Sequence, residues 1–272
     1  MRFLYAGDVV GRAGRKVVHE HLAALRRRLK LDAVVLNGEN AAGGFGLSAD
    51  LLRDFIDAGC DVVTLGNHAF DQRDIIPVLD SEPRLVRPLN LLPGTPGRGV
   101  AMIETSGGQR LVVMQVLCRL FMSPNLDDPF AALEAELARF TLGGSVDAIL
   151  IDVHGEATSE KMALGHFVDG RASLVAGTHT HVPTADLQIL PGGTAYISDV
   201  GMCGDYDSVI GMEKSGSLHR FRSALPGPRM APALGEATFC AVFVETDPAS
   251  GLALRAEPVR LGGRLAATLP ER

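Results

Sequence analysis

"LVAGTHTH", residues 174–181, runs from an apolar stretch (Leu174, Val175, Ala176) through Gly177 into two histidines that alternate with threonines. A short apolar run without polar alternation suits a strand buried on both faces, the kind found inside parallel sheets. His179 and His181 therefore stand where such a strand runs out. If the backbone stays extended, both imidazoles lie on one side and Thr180 on the other, because strand side chains alternate. Taken alone, the stretch reads equally well as a strand end whose polar residues simply meet solvent. Its company decides otherwise.

Similar runs fall at residues 2–6, 33–36, 61–65, 100–104, 111–117, 148–153 and 194–198, each ending in glycine or a polar cluster. Helical spacing lies between several of them. Val18, Leu22, Leu25 and Leu29 mark one apolar face, with Arg26, Arg27 and Arg28 mostly on the wet side. Ser48 is placed to cap a second helix through Asp57, ended by Gly59, and 159–168 reads as a third, stopped at Gly170. Strand–helix–strand–helix–strand implies parallel pairing. Hairpins are expected at 102–104 with 111–114 across "TSGGQ", and between "TFCAVFVETD" and "LALRAEPVRL" around "PASG". No repeat or linker interrupts the chain. The expectation is one layered α/β domain over residues 1–272 with mixed sheets.

Bulk properties narrow the function. The chain has 272 residues, enough for a sizeable core. A net charge of -6 argues against an extended electrostatic grip on nucleic acid, which needs a basic stripe. Small phosphorylated substrates stay open, because bound metal can supply local positive charge. Cys60, Cys118, Cys203 and Cys240 lie far apart with no CxxC pair, so free core thiols are expected. Too few apolar residues precede Asp8 for a signal peptide, and no run has the length of a membrane span. A cytoplasmic protein is expected, with self-association left open.

The strand ends carry the chemistry. The first ends in Gly7-Asp8, the second in "NGEN" (37–40), the third in "GNH" (66–68), a later one at His154, and the last at His179 and His181. In open α/β sheets the crevice beyond the carboxyl ends of the strands holds the ligand. Carboxylate, imidazole and amide oxygen form a mixed N/O donor set suited to iron, manganese, zinc or nickel. Seven such donors exceed the needs of one ion with open substrate positions. Two ions sharing a carboxylate would use them, roughly 3.5–4 Å apart, as in phosphoryl transfer.

The ordered series Gly7-Asp8, "NGEN", "GNH", His154 and "GTHTH" resembles the calcineurin-like metallophosphoesterases. "GDVVG", "NGENAAGG", "LVRPLN", "EATSEK", "THTHVPTAD", "ILPGGTAYISDVGM" and "YDSVIGM" are closer still to the YmdB-like branch, which contains bacterial cyclic-nucleotide phosphodiesterases. The resemblance implies an α/β/β/α sandwich and a dinuclear centre of two divalent or trivalent transition-metal ions, iron or manganese favoured. It implies Asp8, Glu39, Asn40 and His181 on the first ion. Glu39, Asn67, His154 and His179 fall on the second. The general pattern has a histidine where Val10 stands, and Asn40 is read as its substitute. It also has an acid where Ala69 stands, and Asp71 is read as the partner of His68.

His68 is kept apart from the ligands as a general acid for the leaving oxygen. The implied reaction is attack of a metal-held hydroxide on a small cyclic phosphodiester, most simply a 2′,3′-cyclic nucleotide. A phosphomonoesterase on the same centre and a metal- or nucleotide-binding regulator with vestigial hydrolysis are the alternatives. "AAGGFG" (41–46) is neither a dinucleotide fingerprint nor a P-loop, and is read as letting the backbone approach the crevice. Cys203 is read as an inert loop thiol.

Overall fold

Side-chain alternation within each strand builds the layers. A computed structural model describes residues 1–122 and 125–271. In β1 (Arg2–Ala6), Leu4 and Ala6 enter one apolar cluster while Phe3 and Tyr5 enter another. In β2 (Ala33–Asn37), Val34 and Leu36 follow the first pair, and Ala33 and Val35 the second. The parallel strands β3 (Val62–Thr64) and β4 (Leu85–Val86) continue this sheet.

The second sheet repeats the arrangement. It holds β5 (Val100–Glu104), β6 (Arg110–Leu117), β7 (Ala148–His154), β8 (Leu174–Thr178), β9 (Gln188–Ile189) and β10 (Ala195–Ile197), in the order β5-β6-β7-β8-β10-β9. The chain then returns to the first sheet through β11 (Gly204–Asp205), β12 (Ala237–Thr246) and β13 (Ala253–Leu261), giving β11-β12-β1-β2-β3-β4 with β13 also on β12. Both sheets are mixed. β12 runs antiparallel to β1, and β5 and β9 flank a parallel centre. Both expected hairpins form, β5 with β6 and β12 with β13.

Helices cover the two outer faces. From α1 (Gly11–Leu29) and α2 (Ala49–Asp57), Val18, Leu22, Leu25, Leu52 and Phe55 pack on the first sheet. The Ser48 hydroxyl accepts the Leu51 N–H at 3.3 Å, as an N-cap should. A short α3 (Ile76–Ser81) adds Leu79 to the same cluster. On the second sheet, α4 (Pro129–Leu137) supplies Leu133 and Leu137, and α5 (Thr158–Phe167) supplies Leu164. The last helix, α6 (Lys214–Arg222), lies between β11 and β12 in sequence. Each fully buried aliphatic side chain contributes roughly 1.5–3 kcal/mol, so three clusters fix four layers, α/β/β/α. Among the described residues no helix is long and apolar enough to cross a membrane. All four cysteines are free and buried.

One rung of the inter-sheet core is different. Continuing the inward-facing parity leads to Tyr5, Asn37, Thr64, Gln115, Asp152 and Thr178, all fully buried. These are polar residues, joined to one another by hydrogen bonds. The apolar core thus ends in a polar layer at the carboxyl edge, and the candidate site lies immediately beyond it.

Candidate active site

The strands deliver the polar residues to one place. Asp8 follows β1, Glu39 and Asn40 follow β2, Asn67 and His68 follow β3, His154 ends β7, and His179 and His181 follow β8. Two glycines explain how close the strands come. A Cβ on Gly66 would overlap the Glu39 carboxylate, and one on Gly177 would overlap the Ser198 carbonyl. The glycines of "GNH" and "GTHTH" are therefore steric requirements of the convergence.

His154 Nε2 is the hub. It lies 3.1 Å from Glu39 Oε1, 2.9 Å from Asn67 Oδ1 and 3.1 Å from His179 Nδ1. The candidate ligand atoms of Glu39, His154 and His179 all fall within 4.8 Å of one another. A second group adjoins the first through Glu39. Asn40 Nδ2 is 3.2 Å from Glu39 Oε1 and 3.1 Å from His181 Nε2, while His181 Nε2 is 3.9 Å from Asp8 Oδ1. A half-turn of the Asn40 amide exchanges its oxygen and nitrogen at that point. Val10, where the general pattern has a histidine, is buried and apolar.

The donor set fits cations. Asp8 is fully buried, and its Oδ1 has no hydrogen-bond partner among the described residues. Burial raises the Asp8 carboxyl to about 6, against the pull of His181 and His154. Burial pushes Glu39 up as well, but the facing His154 outweighs it and holds the carboxyl down at about 2. Burial lowers His154, and Glu39 more than reverses this, to about 9. His179 falls to about 3, through burial and the neighbouring His154. Ionised, neutral and lone-pair-bearing atoms thus face one another with too few protons between them. That is the chemistry of a site for positive ions.

The backbone of the two histidines departs from the extended form expected of it. β8 stops at Thr178, and His179 and His181 take φ values of 94° and 67°. Both are left-handed, which costs a residue with a side chain. Alternation is therefore not what brings the imidazoles together. Thr180 is tied down at its N–H and hydroxyl by Asp199 Oδ2, at 3.0 and 2.7 Å. The buried Lys161 ammonium reaches the same carboxylate at 3.1 Å and the Thr178 carbonyl at 2.7 Å. His181 Nδ1 donates to the Ile210 carbonyl at 2.8 Å, leaving Nε2 to the cluster.

His68 stands at the rim. Its backbone N–H donates to Glu39 Oε2 at 3.1 Å, and its Nδ1 bonds Asp71 Oδ2 at 2.7 Å. Phe45 meets the ring edge-on, with centroids 5.2 Å apart. A cavity of about 230 Å³ opens above the cluster, lined by Phe45, His68, Glu156, Thr180, Ile210 and Met212 beside the candidate ligands. The glycine-rich stretch forms part of its wall, with Gly44 packed so close to Met212 that a Cβ would come within 2.8 Å of its methyl carbon. Asp152, Thr178, Lys161 and Asp199 had no role assigned from sequence. A charged residue inside the apolar run "AILIDVH" is the signal that marks the first of them.

A four-layer sandwich with carboxylate, amide and imidazole groups meeting at the carboxyl ends of strands from both sheets defines a metallophosphoesterase-like protein. The sequence pattern of the YmdB-like protein family matches residues 4–259, and the chain belongs to that family. It is 44% identical over 262 residues to a 2′,3′-cyclic-nucleotide 2′-phosphodiesterase of Bacillus subtilis (strain 168), covering 95% of this chain and 96% of that one. A hypothetical protein from Thermus thermophilus has a crystal structure that matches with a TM-score of 0.90 at 46% identity, over 97% of this chain and 100% of its own. A novel phosphatase from Mycoplasma pneumoniae matches with a TM-score of 0.89 at 34% identity, over 96% and 93%.

Proposed function

We propose that the chain is a phosphodiesterase that opens 2′,3′-cyclic nucleotides at a centre of two transition-metal ions, iron or manganese favoured. The observation that carries this reading is the pair of donor groups meeting at Glu39, with His154 Nε2 at the heart of one and His181 Nε2 in the other. Asp8, Glu39, Asn40 and His181 would hold one ion, and Glu39, Asn67, His154 and His179 the other. When bound, such ions neutralise charge on the phosphoryl oxygens and make water a nucleophile near neutral pH.

The chain's own residues do the rest. In the net reaction a water oxygen bonds phosphorus, the bond from phosphorus to the sugar oxygen breaks, and that oxygen takes a proton. His68 would give it: the bond of Nδ1 to Asp71 and the ring's position on the cavity wall support Nε2 as the donor. Phe45, Ile210 and Met212 give the cavity an apolar wall that suits a nucleobase.

Charge favours a diester over a monoester. Among the described residues no lysine or arginine lines the cavity, and Glu156 adds a carboxylate 3.5 Å from His179 Nε2. Glu156 repels a monoester dianion more strongly than a singly charged diester beside the same ions and the same His68. The Bacillus relative's activity agrees with this choice.

The test is a metal-defined screen of 2′,3′-cyclic nucleotides, linear diesters and nucleoside monophosphates. Cyclic substrates should turn over fastest, giving nucleoside monophosphates. Orthophosphate release from monophosphates without cyclic turnover would establish the monoesterase instead. Metal-loaded protein inert toward all three classes would overturn the phosphodiesterase and revive the regulator.

A further inference from the structure

Beneath the metal-binding cluster lies a polar layer that the reaction does not touch. Thr178 Oγ1 donates to Asp152 Oδ1 at 2.6 Å, and the same oxygen lies 2.8 Å from His154 Nδ1. A hydroxyl has one proton. Because it goes to Asp152, Thr178 can only accept from His154, so Nδ1 keeps a proton in either charge state, and in the neutral ring the lone pair is on Nε2, facing the cluster.

The direction of this chain is set from further back. Asp152 Oδ2 receives Thr64 Oγ1 at 2.7 Å, Asn37 Nδ2 at 3.2 Å and Gln115 Nε2 at 2.6 Å. Both amides are pinned in that sense. Asn37 Nδ2 also donates to the Leu65 carbonyl at 2.7 Å while its Oδ1 accepts the Glu39 N–H at 3.1 Å. Gln115 Nε2 likewise donates to the Leu65 carbonyl. Asp152 is thus surrounded by donors and serves only as an acceptor.

We infer that Asp152 and Thr178 are positioning residues which fix the tautomer of His154, holding its Nε2 free of a proton as a ligand. Imidazole ligands need their second nitrogen engaged in this manner, and losing the partner typically costs 10–100-fold in metal affinity. The inference rests on the reading of His154 as a metal ligand. Its sharpest consequence concerns Asp152→Asn, which keeps the side chain's shape. The three donors around Oδ2 demand the new amide's oxygen, so its NH2 must face Thr178. Thr178 then accepts from residue 152 and donates to His154 Nδ1. The relay reverses, and the proton moves to Nε2, where the ion should bind.

Zinc, a diamagnetic probe, is titrated into metal-free protein against a chromophoric chelator. Nitrogen-15 spectra of the histidine-labelled, zinc-loaded protein report which imidazole nitrogen carries hydrogen. Asp152→Asn and Thr178→Val should each lose about 10–100-fold in affinity for one of the two zinc ions, and Thr178→Ser should restore it. The wild type and the serine variant should show a protonated His154 Nδ1 hydrogen-bonded to oxygen. Wild-type affinity and an unchanged Nδ1 signal in Asp152→Asn overturn the inference, even if Thr178→Val fails to fold. Unchanged zinc binding in His154→Ala would instead overturn the metal-ligand reading beneath it.

Discussion

His68 stands one residue beyond Asn67 yet points its chemistry elsewhere, and that separation is testable. Its Nδ1 bonds Asp71 and its backbone, not its ring, contacts Glu39. A general acid matters most when the leaving group is poor, such as a sugar hydroxyl, and little for nitrophenolate. His68→Ala should therefore keep its metal content by elemental analysis. It should slow a 2′,3′-cyclic nucleotide by roughly 10²–10⁴-fold, with a much smaller loss on a nitrophenyl diester. Equal losses on both substrates, with metal intact, would make the side chain a charge stabiliser instead of an acid.

Residues such as these were legible because each follows an apolar run, where a polar side chain needs a reason. Asp71 was readable only through the acid missing at position 69, and the structure does set it against His68. Thr178 was not readable in the same way. A threonine at a strand end has an ordinary role, and what distinguishes this one is a carboxylate that lies 26 positions away in the chain.

At the scale of elements, the strands and the first helices were legible from their periods, while the turn after β8 was not. The extended form expected for "HTH" fails because Asp199 holds Thr180 by two bonds and so bends the backbone at both histidines. The anchor comes from the loop after β10 and the charge that balances it from α5, so no local pattern reveals either. β4, β9, β11 and α3 escaped notice for a different reason: two residues, or six, are too short to show a period, and the nine-residue α4 and α6 went unread as well.

The Lys161–Asp199 pair makes the turn's cost measurable. Both side chains are buried, at 2% and 1% exposure. Removing the lysine charge leaves Asp199 uncompensated, and breaking such a pair costs roughly 3–5 kcal/mol. Lys161→Met should lose about that much stability in urea unfolding, and should weaken metal binding as the left-handed histidines relax. A loss below about 1 kcal/mol, the range of exposed pairs, would show that the pair does not hold the turn.

For the molecule as a whole, the two sheets meet at a cluster whose charges oppose the fold unless protons or cations balance them. Without ions, the His154 imidazolium beside Glu39 performs that service, which is why its pKa stands at about 9. A base raised in the folded state stabilises fully below its unfolded pKa, about 6.5, and loses that contribution as pH rises through 9. The other three shifts act elsewhere. Asp8, raised to about 6, costs stability that builds as pH rises from its unfolded pKa and is fully present above 6. Glu39, held at about 2, loses its stabilisation as pH falls toward that value, and His179, lowered to about 3, costs stability increasingly as pH falls below its unfolded pKa. Between pH 6.5 and 9 only His154 changes among the four. If His154 is a ligand, ion-loaded protein would have no proton on its Nε2 to lose and should be insensitive in that window. Thermal unfolding of chelator-treated and ion-loaded protein, measured side by side from pH 6.5 to 9, should show a gap in Tm that widens with pH. Each pKa unit corresponds to about 1.4 kcal/mol, and each kcal/mol to about 2–4 °C in a domain somewhat smaller than this one, so the widening should reach several degrees. A gap that stays constant across the window would mean that no proton on His154 takes the place of the ion, and the centre's protons would have to be assigned afresh.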